Sequence, residues 1–335
     1  MAVTRAEVAR RAGVSPAVVS YVLNSGPRPV APATRARVEA AIAELGYRPN
    51  AMARALRGSG TRSIGLIVPD QVNPFFAELA HEVEDASFEH GYVLLVGSAT
   101  EDPAREVSYL QTFLDRKVDA ILLISVHSRP DLAAVTAAGV PVVVLDRIPA
   151  IDGVSTVTVD GSEGARTGVQ HLIGHGHRTV ACIAGPPRLG SAEQRLAGWT
   201  AAVREAGLPH GHAMVVQEAF TAAGGYRAAH ALLQRADRPS AVFVSTDVQA
   251  LGLLSACSEL GVDVPRDLAV VSFDGSEAGR YSAPALTSVA QPVEQLARRA
   301  VAHLLEAVRD TGTAPAHDTL ETRLVVRRSC GCGSA

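Results

Sequence analysis

From residue 63 onward, short apolar and β-branched runs alternate with amphipathic stretches of helical period. The runs cover 64–68, 93–96, 120–124, 142–145, 180–184, 241–244 and 269–272. Between them, apolar positions recur every three to four residues near 75–90, 104–116, 130–138, 162–175, 191–206, 225–235, 247–260 and 291–309. Continuous apolar strands separated by helices predict parallel sheets covered on both faces. The length fits two such sheets and therefore two lobes. The chain is expected to cross between them near 158–161 and 288–292, with a last crossing near 320–325. Ligands of such folds bind at the carboxyl ends of strands and between domains, so the cleft between the lobes is the expected binding site.

The first sixty residues follow a different pattern. Thr4 and Glu7 stand in capping-box spacing, which starts a helix just after Thr4, with Val8, Ala9 and Ala12 on its inner face. Gly13 supplies a turn. Ser15 can cap a second helix, and Pro16 falls in its first turn, where proline is tolerated. Val18, Val19, Val22 and Leu23 recur at helical spacing and leave Pro16, Ala17, Ser20, Tyr21 and Asn24 on the outer face. A third helix begins near Pro32 and is expected to bury Val38, Ile42 and Leu45. Two short helices joined through Ala-Gly-Val form a helix-turn-helix, which places its second helix in the DNA major groove.

The charge distribution agrees. Residues 1–60 hold nine Arg against three Glu, a charge of +6, whereas the 335-residue chain as a whole carries −3. A basic head on an acidic body is the asymmetry of a polyanion-binding module fused to another domain. Hydrophobic residues make up 47% of the chain, so a large core can form. Four scattered cysteines, Cys182, Cys257, Cys330 and Cys332, give no disulfide framework and fit a reducing cytoplasm. The N-terminus carries no apolar leader pattern, and no run reaches the length of a membrane span.

Enzyme signatures are missing. There is no Gly-x-Ser-x-Gly elbow with an ordered acid and base and no Walker-type phosphate loop, so no catalytic residue and no cofactor is assigned. His171, His175 and His177 have no carboxylate or cysteine at ligand spacing in the sequence. They read as histidines at a helix C-terminus, where the dipole favours them, and no metal site is assigned. Cys330-Gly331-Cys332 reads as part of a frayed terminus.

Several motifs share one order along the chain. They are Val14-Ser15-x-x-x-Val19-Ser20-x-Val22-Leu23-Asn24, then Glu44-Leu45-Gly46-Tyr47-Arg48-Pro49-Asn50-Ala51-x-Ala53-x-x-Leu56. Ile64-Gly65-Leu66-Ile67-Val68-Pro69-Asp70 follows with Asn73-Pro74-Phe75-Phe76, then Arg195-Leu196-Ala197-Gly198, Thr246-Asp247-x-x-Ala250-Leu251-Gly252, Ser272-Phe273-Asp274, Pro284-x-Leu286-Thr287-Ser288-Val289-x-Gln291-Pro292 and Arg327-Arg328-Ser329-Cys330. Together they resemble the LacI/GalR family of bacterial repressors over nearly the whole chain.

The resemblance implies an α/β protein with a three-helix head (1–48), a hinge helix and linker (49–61) and a two-lobed periplasmic-binding-protein-like core (62–335) with parallel sheets. Lobe one would hold about 62–159 and 291–322, and lobe two about 160–290 and 323–330. It implies that Pro16, Ala17 and Tyr21 read base edges and that Ser15, Ser20 and Asn24 hold phosphates, with Thr4, Arg28 and Ala53 completing the contact set. Asn50 would cap a hinge helix over 51–56. So short a helix is marginal alone in water, and in the family it folds when two copies meet on DNA. Leu56 then wedges into the minor groove and kinks the duplex.

The implied effector residues are Asp70, Asn73, Phe75, Arg195, Phe220, Asp247 and Asp274. Their chemistry suits a polyhydroxylated ligand, with carboxylates accepting, Arg donating in a fork and aromatic faces covering C–H groups. Other roles stay open for some of them. Asp247 also suits capping of the helix that follows it, and Arg195 and Asp274 also suit an ion pair between the lobes. One of Phe75 and Phe76 is expected in the core. Two positions depart from the common family pattern: Tyr21 stands where many members carry Arg, and Ala31 where a Ser cap is usual.

The function so implied is a cytoplasmic, homodimeric, sequence-specific repressor. It binds double-stranded operator DNA and is controlled by a small effector, a sugar first and a nucleobase or nucleoside second. A transporter's sugar-binding protein or a sugar-modifying enzyme is the alternative class. No heptad helix follows the last motif, so a dimer is expected rather than a tetramer.

Overall fold

The computed structural model describes residues 3–24, 29–47, 60–127, 129–146, 151–310 and 312–333. It divides into two compact units, Met1–Thr61 and Arg62–Ala335. Arg28 and the expected hinge with Asn50, Ala53 and Leu56 lie outside the described residues.

The first unit contains α1 (Arg5–Ala12), α2 (Pro16–Asn24) and α3 (Pro32–Leu45). The capping box forms: the Glu7 amide donates to Thr4 Oγ1 (3.4 Å) and the Thr4 amide to Glu7 Oε2 (2.6 Å). Gly13 closes α1 at φ +66°, a left-handed position that favours glycine. Val8, Ala9, Ala12, Val19, Val22, Val38 and Ala41 form the small core. Ile42 and Leu45, expected inside, pack at its edge, and Ala41 takes the central place. α3 has no side-chain cap at Ala31, a loss on the order of 1 kcal/mol against a Ser or Asp there. Arg11 and Glu44 bridge α1 to α3 at 2.7 Å, but both are exposed and contribute little.

The second unit holds two six-stranded sheets. The first contains β1 (Ser63–Val68), β2 (Val93–Ser98), β3 (Ala120–Leu123), β4 (Val142–Asp146), β5 (Ser155–Val159) and β11 (His317–Leu320). Their order is β11-β5-β4-β3-β1-β2, all parallel. The second contains β6 (Val180–Ala184), β7 (Val215–Gln217), β8 (Ala241–Val244), β9 (Ala269–Asp274), β10 (Thr287–Ala290) and β12 (Arg323–Val325). Its order is β12-β10-β9-β8-β6-β7, with only β12 antiparallel.

The helices of the first lobe are α4 (Pro74–Glu89), α5 (Pro103–Asp115), α6 (Ala133–Ala137) and the late α12 (Val293–Arg309), which packs on α4 and on β3 to β5. Those of the second are α7 (Gly161–Gly174), α8 (Gly190–Glu205), α9 (Ala222–Leu233), α10 (Asp247–Leu260) and the short α11 (Glu277–Arg280).

Alternate strand residues feed opposite faces of each sheet. Cys182, Phe243 and Val271 pack with Val169, Leu172 and Trp199 of α7 and α8. Ile183, Val242, Val244 and Val270 pack with Ala228, Leu232 and Leu253 of α9 and α10. Burial on both faces is why these strands read as unbroken apolar runs. β5, by contrast, was not anticipated. It buries Thr156 and Thr158, and Thr156 Oγ1 lies 3.0 Å from His317 Nδ1 on β11. The Thr156 hydroxyl meets this partner only once β11 is beside it.

Candidate functional site

The lobes meet at the carboxyl ends of their strands, where Asn73, Phe75, Phe76, Asp146, Ser191, Arg195, Phe220, Thr246 and Asp274 line one cavity. Local sequence positions each of them. Asn73 caps α4 by accepting from the Phe75 amide (3.1 Å), which turns Phe75 and Phe76 inward. Gly185 follows β6, and a Cβ there would stand 2.2 Å from the Phe220 ring, so the ring needs that glycine. Asp146 ends β4 at φ 65° and Asp274 ends β9 at φ 116°. Left-handed conformations of non-glycine residues cost on the order of 1–3 kcal/mol and collect at ligand sites.

Arg195 is the centre of the cavity. It is 3% exposed, and its Nη1 donates to the Ser245 carbonyl (2.6 Å) and lies 3.2 Å from Asp274 Oδ1. Its guanidinium stacks over Phe273 at 4.0 Å and faces Phe220 at 5.9 Å. Its buried Nε has no hydrogen-bond acceptor among the described residues. Gln291 Nε2 donates to Asp274 Oδ1 (3.0 Å). Gln291 belongs to the crossing that follows β10 and lines a groove of about 690 Å³, so this bond ties the cavity to the crossing segment. A second contact spans the lobes: the Glu277 amide, at the start of α11, donates to Glu78 Oε1 of α4 (2.8 Å).

Burial pushes the Asp274 carboxyl up to about 8; Arg195 pulls it down, whereas Asp247 and Asp146 push it further up. Against its ordinary value of 3.8, the folded chain then holds more protons than the unfolded chain across this window. The group costs nothing below about pH 4, its cost grows as pH rises toward 8, and it is constant above. We expect the melting temperature of the native chain minus that of Asp274→Asn to fall between about pH 5 and 8 and then level off. A difference that rises with pH instead would mean that Arg195 holds Asp274 as a carboxylate throughout.

In the helical unit, Ser15 caps α2 through its Oγ, which accepts from the Val18 amide (3.4 Å). Ser15, Pro16 and Ala17 are exposed, Ser20 and Tyr21 half-buried, and Asn24 ends the helix. Thr4 is engaged with Glu7 in the capping box.

Residues 4–50 match the bacterial regulatory proteins of the lacI family, and residues 169–330 the periplasmic binding protein-like domain. The HTH-type transcriptional repressor PurR of Pectobacterium carotovorum subsp. carotovorum (strain PC1) is 35% identical over 334 residues, covering 98% of this chain and 96% of its own. This chain belongs to the LacI family of bacterial regulatory proteins. PurR of Escherichia coli O1:K1 / APEC is 36% identical over 330 residues, again with 98% and 96% covered. Among solved structures, the Lac repressor dimer bound to operator and the anti-inducer ONPF superposes with a TM-score of 0.88 at 28% identity, covering 98% and 99% of the two chains. A transcriptional regulator CelR–cellobiose complex does so at 0.73 and 34%, with the same coverage.

Of the seven effector candidates of this LacI-family chain, Asn73, Phe75, Arg195, Phe220 and Asp274 share the cavity, and Asp70 and Asp247 do not line it. Asp70 accepts from the Val72 amide and shapes the loop after β1. Asp247 is saturated: its carboxylate accepts from the Ser272, Ser276 and Ser288 hydroxyls and the Ser276 amide. The cap of α10 is Thr246, not Asp247. Asp160 caps α7 by accepting from the Glu163 amide.

Phe76, Asp146, Ser191 and Thr246 line the cavity and were missed as site residues. For Asp146 a signal existed, since it directly follows an apolar run, as Asp274 does. The frayed-terminus reading of Cys330 is corrected. Cys330 is 1% exposed and its sulfur accepts from Thr287 Oγ1 at 3.1 Å, because the tail packs beside β10.

Proposed function

We propose that this protein is a homodimeric operator-binding repressor of the cytoplasm. Its DNA affinity is set by a small polyhydroxylated ligand held between the lobes by Arg195 and Asp274, with Asn73, Phe75 and Phe220 around it. The observation that carries this reading is the buried Arg195 guanidinium at the lobe junction, with its Nε still able to donate. The free space between these side chains is about 10 Å³, room for about one water molecule, whereas ligand pockets run to several hundred Å³. Ligand entry therefore requires the lobes to part, which breaks the Glu78–Glu277 bond between them, and a ligand hydroxyl on Asp274 competes with Gln291. That exchange gives it differential affinity for two lobe arrangements, the condition for shifting a conformational equilibrium.

A sugar is supported by solved relatives in complex with cellobiose and with ribose. A nucleobase is the second reading, supported by three Phe rings around two carboxyls and one guanidinium. A dimer is supported by the exposed apolar side chains Phe88, Val93, Val96 and Val107, on edge strand β2 and on the helices α4 and α5 beside it.

In the head, Pro16 and Ala17 offer apolar contact and Tyr21 a single hydroxyl, in place of the bidentate Arg–guanine contact. Much of the specificity then rests on the proposed minor-groove wedge. Operator fragments from the chain's own promoter region should bind at fixed salt, and ligands found in a thermal-shift screen of sugars, polyols and nucleobases should change that affinity. By linkage, operator should change ligand affinity by the same factor. We expect Leu56→Ala to weaken operator binding on the order of 100-fold, the worth of an unstacking wedge of a few kcal/mol, with ligand affinity of the free chain unchanged. Equal operator affinity would remove the wedge, and ligand affinity indifferent to operator would remove the allosteric scheme.

A further inference from the structure

The end of α7 and the C-terminal tail bring together a constellation that the repressor function does not use. His171 and His175 stand one helical turn apart, with ring centroids 4.7 Å from each other. The Cys332 sulfur lies 3.6 Å from His171 Nε2 and 3.1 Å from His175 Nε2. One ligating atom from each residue falls within 4.8 Å of the others. Around a tetrahedral zinc with Zn–S near 2.3 Å and Zn–N near 2.0–2.1 Å, the sulfur-to-nitrogen edge is roughly 3.6 Å.

The tail that delivers Cys332 is anchored. Ser329 Oγ donates to the Val270 carbonyl (2.7 Å) and accepts from the Thr287 amide (2.8 Å), Cys330 is buried, and Gly331 turns the chain at φ 88°. Of the neighbouring candidates, buried Cys330 accepts from Thr287 Oγ1 and also touches the Cys332 thiol, and His177 Nδ1 lies 3.0 Å from Ser240 Oγ. His175 is exposed and His171 and Cys332 are half-buried, so a fourth position faces solvent.

We propose that His171, His175 and Cys332 form a transition-metal site suited to Zn²⁺, completed by water, that staples the C-terminal tail to α7. Two imidazoles and a thiolate are the donor set of a borderline-soft cation rather than of Mg²⁺ or Ca²⁺. Binding forms one metal–sulfur bond and releases the Cys332 thiol proton to solvent. The competing account is a thiol–imidazole hydrogen bond with no affinity for metal.

The test uses the full-length, tag-free chain, stripped with chelator and reduced with a phosphine. Cobalt(II) should bind at one equivalent with a thiolate-to-metal charge-transfer band in the near ultraviolet, and zinc should displace it. Cys332→Ser should lose the band, and His171→Ala and His175→Ala should each weaken zinc binding by at least about tenfold. Cys330→Ser should keep both the band and the stoichiometry. No band in the native chain, or a band that survives in Cys332→Ser, overturns the site. These substitutions lie on a helix end and a tail, and a retained melting transition for each variant ensures that a lost band reports a lost ligand rather than a lost fold.

Discussion

Replacing Arg195 with Ala should abolish the effect of ligand on operator affinity and leave operator binding by the ligand-free chain within about threefold of native. The guanidinium offers five donors in a rigid fork, of which Nη1 serves Ser245 and Asp274 and Nε serves nothing described. Hydrogen bonds from a charged donor are each worth about 1.5–3 kcal/mol, so losing two lowers ligand affinity by roughly two to four orders of magnitude. Breaking a buried pair also threatens the fold, at a cost on the order of 3–5 kcal/mol. Here the residual carboxyl, already pushed up to about 8, can take a proton and lower that cost. Arg195→Lys keeps the charge and loses the fork, and should recover stability without recovering the response. Calorimetry with the screened ligand and an operator titration on the same preparations read both effects. A normal ligand response in Arg195→Ala would take Arg195 out of the site.

Gly252→Val should cost at least about 3 kcal/mol of stability, the upper range for overpacked cores. A Cβ at Gly252 would stand 1.8 Å from the Ala222 carbonyl oxygen, and one at Gly225 would stand 1.9 Å from the Gln249 carbonyl oxygen. The backbones of α9 and α10 therefore touch through two glycines, and no rotamer change relieves a clash with backbone. Driving the helices apart also disturbs Gln249, whose Nε2 donates to the Ala184, Glu218 and Ala219 carbonyls beside the cavity. Gly211→Ala is the control, since nothing lies within 4 Å of its Cβ position. Urea unfolding should show a markedly lower midpoint for Gly252→Val and an unchanged one for Gly211→Ala. An unchanged midpoint for Gly252→Val would mean that α9 and α10 do not approach so closely in solution.

Much of this molecule can be read in order from its residues. Every apolar run named from the sequence coincides with a strand, the run over 120–124 outlasting β3 by Ile124, and the Thr4–Glu7 spacing forms the capping box it predicts. What escaped reading is short or polar. β5 is Ser-Thr-Val-Thr-Val, β11 is His-Asp-Thr-Leu, and β10 buries Ser288 because that hydroxyl serves Asp247. A buried hydroxyl looks like a surface residue until its partner, here 41 positions away, is known.

Periodicity, capping and charge are local properties, and they alone determined a basic three-helix head, apolar strands alternating with helices, and the order of both along the chain. Which side chains share a site depends on contacts between segments far apart in sequence, and only the tertiary structure decided it. It set Arg195 against Asp274, took Asp247 away into a ring of serines, and brought Cys332 to His171 from 161 residues away. The physical reason is that backbone periodicity is fixed within a few residues, whereas the desolvation and pairing of a polar group depend on whatever the completed fold packs against it.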